Sequence, residues 1–430
     1  MNYQEARSFI DESIRYGGEV GLGKIEKLLD YLGHPEDELT FIHIAGTNGK
    51  GSVLAYVSTI LSTAGFRVGR YISPTLYSYE ERFQVDGRPI SKDAFTKYME
   101  QMINSVRQME EDGFTRPTPF ELETVLAFLY FRDMRCDYVV LECGLGGLED
   151  ATNVIKNTAV AVLTPISMDH MDYLGHTLTE IARNKSGIIK TNGEVVTAFQ
   201  KQEVMEQILE SSSKYNCSCT CADYHNAEVL SVEIEEQTFE YKEEVWTIQL
   251  AGVCQIENAV IAIEVINALR KRGARITNHQ LKEGLRNTRW DGRFTILHKE
   301  PYVLVDGAHN PHGTAKLAES LRLYFHDKSM IFIIGVLRDK EYEEVLRSTV
   351  PMASHVIAIS TPNNPRALPA EALANAVKKY IQKPEHVYSA DSMEEAVERA
   401  FRLADTCDVI VSFGSLSFIG EFTSIVKNMT

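Results

Sequence analysis

Seven consecutive residues, Gly46-Thr47-Asn48-Gly49-Lys50-Gly51-Ser52, constrain this chain more than any others. They lie between an apolar run, Phe41–Ala45, and a helical pattern over Val53–Ala64. The apolar face of that pattern is Val53, Leu54, Val57, Ile60 and Leu61, and Gly65 is its natural stop. Glycines let backbone N–H groups close on an anion, and a helix start adds unpaired donors and a partial positive charge. Lys50 is placed to reach outer phosphates and Ser52 to ligate a metal. Strand, glycine loop and helix in that order belong in a parallel α/β sheet. The common phosphate loop reads G-x-x-x-x-G-K-[ST]; here Gly51 separates Lys50 from Ser52, so this loop is a variant.

Other segments repeat the strand–helix rhythm. Phe41–Ala45, Val68–Ile72, Tyr138–Glu142, Ala159–Thr164 and Glu194–Ala198 are nearly continuous apolar runs, as expected of strands covered on both faces. Residues 226–250 differ. Thr238–Tyr241 and Trp246–Leu250 alternate apolar with polar around Lys242-Glu243-Glu244, which predicts a small antiparallel sheet with one wet face. A helix is expected from Ile256 to Lys271. Strand signals resume at Tyr302–Asp306, Met330–Gly335, His355–Ser360 and Asp408–Phe413. A chain of 430 residues exceeds a single core, so two domains are expected, 1–295 and 296–430. Near the N-terminus, Phe9, Ile10 and Ile14 fit one face of an amphipathic helix.

The formal net charge of -16 argues against nucleic acid and against an anionic membrane surface as partners. No run is long and apolar enough to span a bilayer, and the first residues lack the order of a signal peptide. The cytoplasm is the expected location. Seven cysteines, an odd number, suit free thiols in a reducing compartment. Cys217, Cys219 and Cys221, followed by His225, read as a short strand, because structural zinc spacing is C-x2-4-C.

Three further groups follow predicted strands. Glu142 ends one beside the turn Cys143-Gly144-Leu145-Gly146-Gly147; Ser73-Pro74 follows a second; Ser167-Met168-Asp169-His170 follows a third. If those strands are parallel neighbours, Ser52, Ser73, Glu142 and His170 meet at one sheet edge as candidate Mg²⁺ ligands. Each residue alone carries little weight; the constellation carries the reading.

These segments resemble the Mur ligase superfamily, and within it folylpolyglutamate synthase/dihydrofolate synthase. The resemblance rests on HIAGTNGKGS at 43–52, YISP at 71–74, LECGLGG and EDATN within 141–153, SMDHMDYLGHT at 167–177, NKSGIIK at 184–190, WDGR at 290–293, DGAHNP at 306–311 and GSL at 414–416. It implies an ATPase domain, a C-terminal Rossmann-like domain and an active site between them. It implies glutamate ligation to a folate, or to dihydropteroate, through an acyl phosphate, with ATP as co-substrate, two Mg²⁺ ions, room for K⁺, and a monomer.

By the same resemblance, Gly49, Lys50, Gly51, Ser52, Asn258, Arg293, Asp306 and His309 attend ATP. Ser52, Ser73 and Glu142 hold one metal and His170 a second. Lys185 is the lysine that the family carbamylates. Thr118, Phe120, Glu121, Glu149, Asp150 and Ala151 face the acceptor, with Gly21–Lys24 less directly, and Ser415 seats glutamate. Leu148, Thr75 and Asp291 depart from the family's usual Arg, His and Pro, and Asn184 and Ser186 from its Glu and Ala. A Mur-type ligase acting on another carboxylate is the alternative. Such enzymes carry a UDP-sugar domain ahead of the loop, and a loop starting at Gly46 leaves no room for one. A nucleotide-binding regulator without catalysis would need neither the metal set nor the lysine.

Overall fold

The computed structural model describes residues 1–17, 21–362 and 364–430. Among these residues, seventeen strands form three sheets. The first sheet comprises β1 (Phe41–Ala45), β2 (Val68–Tyr71), β3 (Phe83–Val85), β4 (Arg88–Pro89), β5 (Tyr138–Glu142), β6 (Thr158–Leu163), β7 (Glu194–Ala198) and β8 (Ser218–Ala222), in the order β4-β3-β2-β5-β1-β6-β7-β8. From β2 to β8 every neighbouring pair is parallel. Only the hairpin β3–β4 runs antiparallel at one edge. The five strands expected of a parallel sheet pair in parallel, and the hairpin adds an antiparallel edge where the chain turns back and no crossover helix is required.

All five residues of β1 are buried because the sheet is covered twice. Ile42 and Ile44 pack toward the helices Lys50–Thr63 and Gln255–Lys271. Phe41 packs toward Pro119–Asp133 and the N-terminal helices. Burial on both faces is the physical origin of the unbroken apolar runs. The first helix is Tyr3–Glu12, with Asn2 capping it and Ala6 and Ile10 inward. Ile14 does not join that face: it is 76% exposed. The chain tightens into a 3₁₀ turn at Ser13–Tyr16, which breaks the 3.6-residue period.

The second sheet, β9 (Glu228–Val232), β10 (Gln237–Tyr241) and β11 (Glu244–Ile248), is antiparallel, as the alternation predicts, with β9 as an additional strand. The third contains β12 (Thr295–Lys299), β13 (Tyr302–Val305), β14 (Met330–Ile334), β15 (His355–Ile359), β16 (Val387–Ala390) and β17 (Val409–Phe413). Its order is β12-β13-β17-β14-β15-β16, parallel except for β12. The ends of the expected strands fall within a residue of expectation except for β11, which begins and ends two residues before Trp246–Leu250. No helix among the described residues is long and apolar enough to cross a membrane.

Candidate active site

Strand register brings the candidate residues to one edge. Ile44 pairs with Glu142, Ala45 with Leu163, and Tyr71 with Leu141. Four parallel strands thus end level, and the residues following them share a rim. The loop after β1 is pinned there. The Thr47 N–H donates to the Pro165 carbonyl at 2.9 Å; the Thr47 hydroxyl donates to Ser167 O at 3.1 Å and accepts from Ser167 N at 3.0 Å.

Two glycines are required by space as well as by conformation. At Gly46, φ is +151° and a Cβ would lie 1.8 Å from Thr164 Oγ1. At Gly49, φ is +88° and a Cβ would lie 2.5 Å from Asn258 Oδ1. Gly51, the residue that makes the loop a variant, lies under Trp290, whose Nε1 would be 3.0 Å from a Cβ there. The Lys50 ammonium curls back to the carbonyls of Gly46 and Thr47, at 3.3 and 3.4 Å.

Around the loop lie buried polar groups. Ser52 is buried and accepts from Gln255 Nε2 at 3.4 Å. Glu142 is buried; burial pushes its carboxyl pKa up, opposed by Lys50, Arg293 and the Ser73 backbone. Among the described residues no cation lies within ion-pair distance of it. Lys185, on the helix Leu178–Ser186, is 5% exposed and donates to the Gly46 carbonyl at 2.9 Å. Burial, reinforced by the Lys50 charge, brings its pKa down to about 7.

The third sheet supplies the opposite wall. Asp306, just after β13, accepts from the Phe294 and Ala308 backbones, both at 2.8 Å; burial raises its pKa and Arg293 opposes this. His309 Nδ1 donates to the Gly307 carbonyl at 2.9 Å, which leaves Nε2 as the acceptor. Polar contacts tie the walls together. Lys340 Nζ pairs with Asp169 Oδ1 at 2.8 Å and lies 3.3 Å from His170 Nε2. Asn310 Nδ2 donates to Asn48 Oδ1 at 3.2 Å and to Asp169 Oδ2 at 3.4 Å. Burial lowers the His170 pKa.

One cleft is lined by Gly49, Lys50, Gly51, Ser52, Ser73, Glu142, His170, Lys185, Asn258, Arg293, Asp306 and His309. The acceptor-side candidates lie outside that lining. Thr118 and Glu121 form a capping box at the start of Pro119–Asp133. The Phe120 ring packs where a Gly144 side chain would be, 2.6 Å from its Cβ. Asp150 is buried and accepts from the Leu145 and Thr152 backbones at 2.8 and 3.0 Å; Ala151 is buried and Glu149 exposed. Ser415 accepts from Ser417 N at 3.3 Å, while its neighbour Leu416 lines the cleft. Lys24 donates to the Tyr16 carbonyl at 2.9 Å, beside a separate hollow with Gly21, Lys27 and Phe114. The cysteines are free; Cys219 and Cys221 lie on β8, and His225 pairs with Asp223 at 2.8 Å. Among the described residues they form no metal-holding group.

Gln255 and Lys340 were not marked by the sequence; each is an ordinary residue in its local pattern. Trp290 and Asn310 lie in the motifs WDGR and DGAHNP but were given no role, and only the tertiary fold puts them beside the loop.

Residues 44–266 match the Mur ligase middle domain, and residues 292–416 the Mur ligase glutamate ligase domain. The chain is 33% identical to the dihydrofolate synthase/folylpolyglutamate synthase of Bacillus subtilis (strain 168), over 99% of each chain. This protein belongs to the folylpolyglutamate synthase/dihydrofolate synthase family of Mur ligases. Among solved members of that family, Mycobacterium tuberculosis folylpolyglutamate synthase, complexed with ADP and AMPPCP, superposes with a TM-score of 0.88 at 32% identity, covering 99% of this chain and 98% of that one. E. coli FolC in complex with DHPP and ADP gives 0.85 at 25% identity, covering 99% and 98%. The Mur-ligase fold, with its small antiparallel sheet and C-terminal α/β unit, is thus the one the resemblance implied. The donor set suits Mg²⁺, because Ser52, Ser73 and Glu142 offer hard oxygens and the buried carboxylate lacks a cation. The departure Asp291 has its own contact: its carboxylate accepts from the Tyr77 hydroxyl at 2.9 Å.

Proposed function

We propose that this protein is an ATP-dependent ligase that adds L-glutamate to folates, and to dihydropteroate, through an acyl phosphate. The observation that carries this reading is the buried Lys185, hydrogen-bonded to the phosphate loop at Gly46, 2.9 Å away. A nucleotide-binding protein without catalysis gains nothing from burying an amine there.

Gly49, Lys50, Gly51 and Ser52 hold the ATP phosphates at the helix N-terminus. Asn258 holds the nucleotide from the small-sheet side, and Arg293, Asp306 and His309 from the opposite wall. The acceptor carboxylate attacks the terminal phosphorus; the bond to ADP breaks and an acyl phosphate forms. The glutamate amine then attacks the acyl carbon, loses a proton, and phosphate leaves. Ser52, Ser73 and Glu142 would hold one Mg²⁺ and His170 a second, and the ions would neutralise phosphate charge. A Lys185 pKa of about 7 leaves a neutral fraction at physiological pH. A neutral amine adds CO₂, releasing a proton, and the resulting carbamate is an anion suited to a site crowded with cations. The work of the chain's own residues is positioning and charge balance.

On the acceptor side, Phe120 beneath Gly144 and Asp150 bonded to the Leu145 backbone shape the turn that faces the acceptor. Ser415 lies at the glutamate end. We take the protein to act as a monomer in the cytoplasm, with 1–295 and 296–430 as its two domains. The test is glutamate-dependent ADP release, measured separately with dihydropteroate and with tetrahydrofolate. Release with either supports the reading; release with neither overturns it.

A further inference from the structure

A second groove opens from the same rim, on the side of β2 and the small hairpin. Its inner end is Ser73, Glu142 and Arg293, shared with the phosphate-loop cleft. Its outer walls carry Arg70, Gln84, Arg289 and Trp290.

At the outer end of this groove Arg70 and Arg289 hydrogen-bond to neutral groups, with the Asp86 charge acting on Arg70 without an ion pair. The Arg70 guanidinium donates to Thr59 Oγ1 at 3.1 Å, and its Nε is buried without a partner. Arg289 donates to the Arg286 and Thr288 carbonyls at 3.1 and 3.0 Å and to Gln249 Oε1. Arg293 donates to the Gly292 carbonyl at 3.0 Å. All these acceptors are neutral, and among the described residues no carboxylate forms an ion pair with any of the three. Elsewhere the chain pairs half-buried arginines directly, as in Arg82–Glu123 at 3.3 Å and Arg116–Glu110 at 2.9 Å.

Three acids also line the groove: Glu142 at its inner end, within reach of the Arg293 charge, and Glu81 and Asp291, which are engaged by other groups. Glu81 accepts from the backbones of Leu76, Tyr77 and Ser78, at 3.0, 3.2 and 3.0 Å. Asp291 accepts from Tyr77. Burial lowers the Arg70 pKa only to about 10, so the group stays charged at neutral pH. In a chain of net charge -16, two guanidinium groups with no carboxylate at ion-pair distance, Arg70 and Arg289, make the outer end of the groove an anion site.

We propose that this groove binds the carboxylates of a glutamyl unit, with Arg70 and Arg289 as its anion-binding groups. The inference rests on the folate–glutamate ligase reading above. The glutamyl unit has two possible sources, free L-glutamate or the terminal residue of an acceptor that already carries glutamate. Both bring carboxylates to the rim where the amide bond forms.

The test uses the full chain with Arg70→Gln, Arg70→Lys and Arg289→Gln, measured by ADP release. If free glutamate occupies the groove, each Gln variant raises the KM for L-glutamate about 10-fold, with the KM for ATP and kcat within about twofold. Arg70→Lys, which keeps the charge, recovers part of the loss. If the acceptor tail occupies it, the KM rises for a diglutamyl acceptor and not for L-glutamate. Unchanged KM values for both ligands overturn the proposal. Arg289 is exposed, so Arg289→Gln decides the matter alone should Arg70→Gln fail to fold. Wild-type protein that releases no ADP with any folate would overturn the ligase reading instead.

Discussion

The ammonium of Lys185 donates a 2.9 Å hydrogen bond to the carbonyl of Gly46, a residue 139 positions earlier, at the mouth of the phosphate loop. The bond fixes where the amine lies, and burial sets its proton affinity near 7. Lys185→Ala should therefore lower kcat by about 10²–10³-fold, the scale of losing one preorganised electrostatic group. The KM for ATP should change little, since Gly49–Ser52 remain. Steady-state ADP release at saturating substrates measures this.

Gly46→Ala should destabilise the protein by about 2–4 kcal/mol, through backbone strain and a clash. The φ of +151° and the 1.8 Å approach to Thr164 Oγ1 act together. Thr164→Ala on top of Gly46→Ala removes the clash but not the strain, so urea unfolding should show partial recovery only.

Glu257 lines the cleft, and burial, opposed by Lys316, pushes its pKa up to about 7. A carboxyl with a raised folded pKa binds more protons folded than unfolded between about 4.5 and 7. Its contribution is fully present below that window and is lost as pH rises through it. Glu257→Gln should flatten this part of the stability–pH curve and leave the variant relatively more stable at pH 8. Urea midpoints from pH 4.5 to pH 8 measure the effect.

The Lys340–Asp169 pair, at 2.8 Å, joins the third sheet to the loop after β6. Both side chains are largely buried, so removing either strands the other. Lys340→Met and Asp169→Asn should each lower stability, and the double variant should lose less than the sum. A coupling of roughly 1–2 kcal/mol in a double-mutant cycle is expected for groups in contact. Additive losses would mean that the pair does not join the two walls.

The loop, its flanking elements and the long apolar strands of both α/β units were legible because their signals are local; β3, β4, β12 and β16 at the sheet margins were not. Gly46 and Gly49 announce a turn, and doubly covered strands are apolar throughout. Ile14 was misread because its periodicity continued past the end of the helix. Glu142, Ser73 and His170 could be nominated but not joined, since strand order is not written in any one strand. β2, β5, β1 and β6 are neighbours in space in an order different from their order in the chain.

The variant loop shows where the division falls. By itself the sequence determined that Gly46–Ser52 is an anion-binding junction between a strand and a helix, because backbone conformation and helix polarity are short-range. Tertiary structure alone decided why Gly51 must be glycine: Trp290, 239 residues later, packs over it. It likewise decided that Lys185 is buried with a lowered pKa rather than solvated, and that Arg70 and Arg289 share a groove with no carboxylate at ion-pair distance. Burial and charge pairing depend on which distant segments the fold brings together, and local pattern carries no record of that.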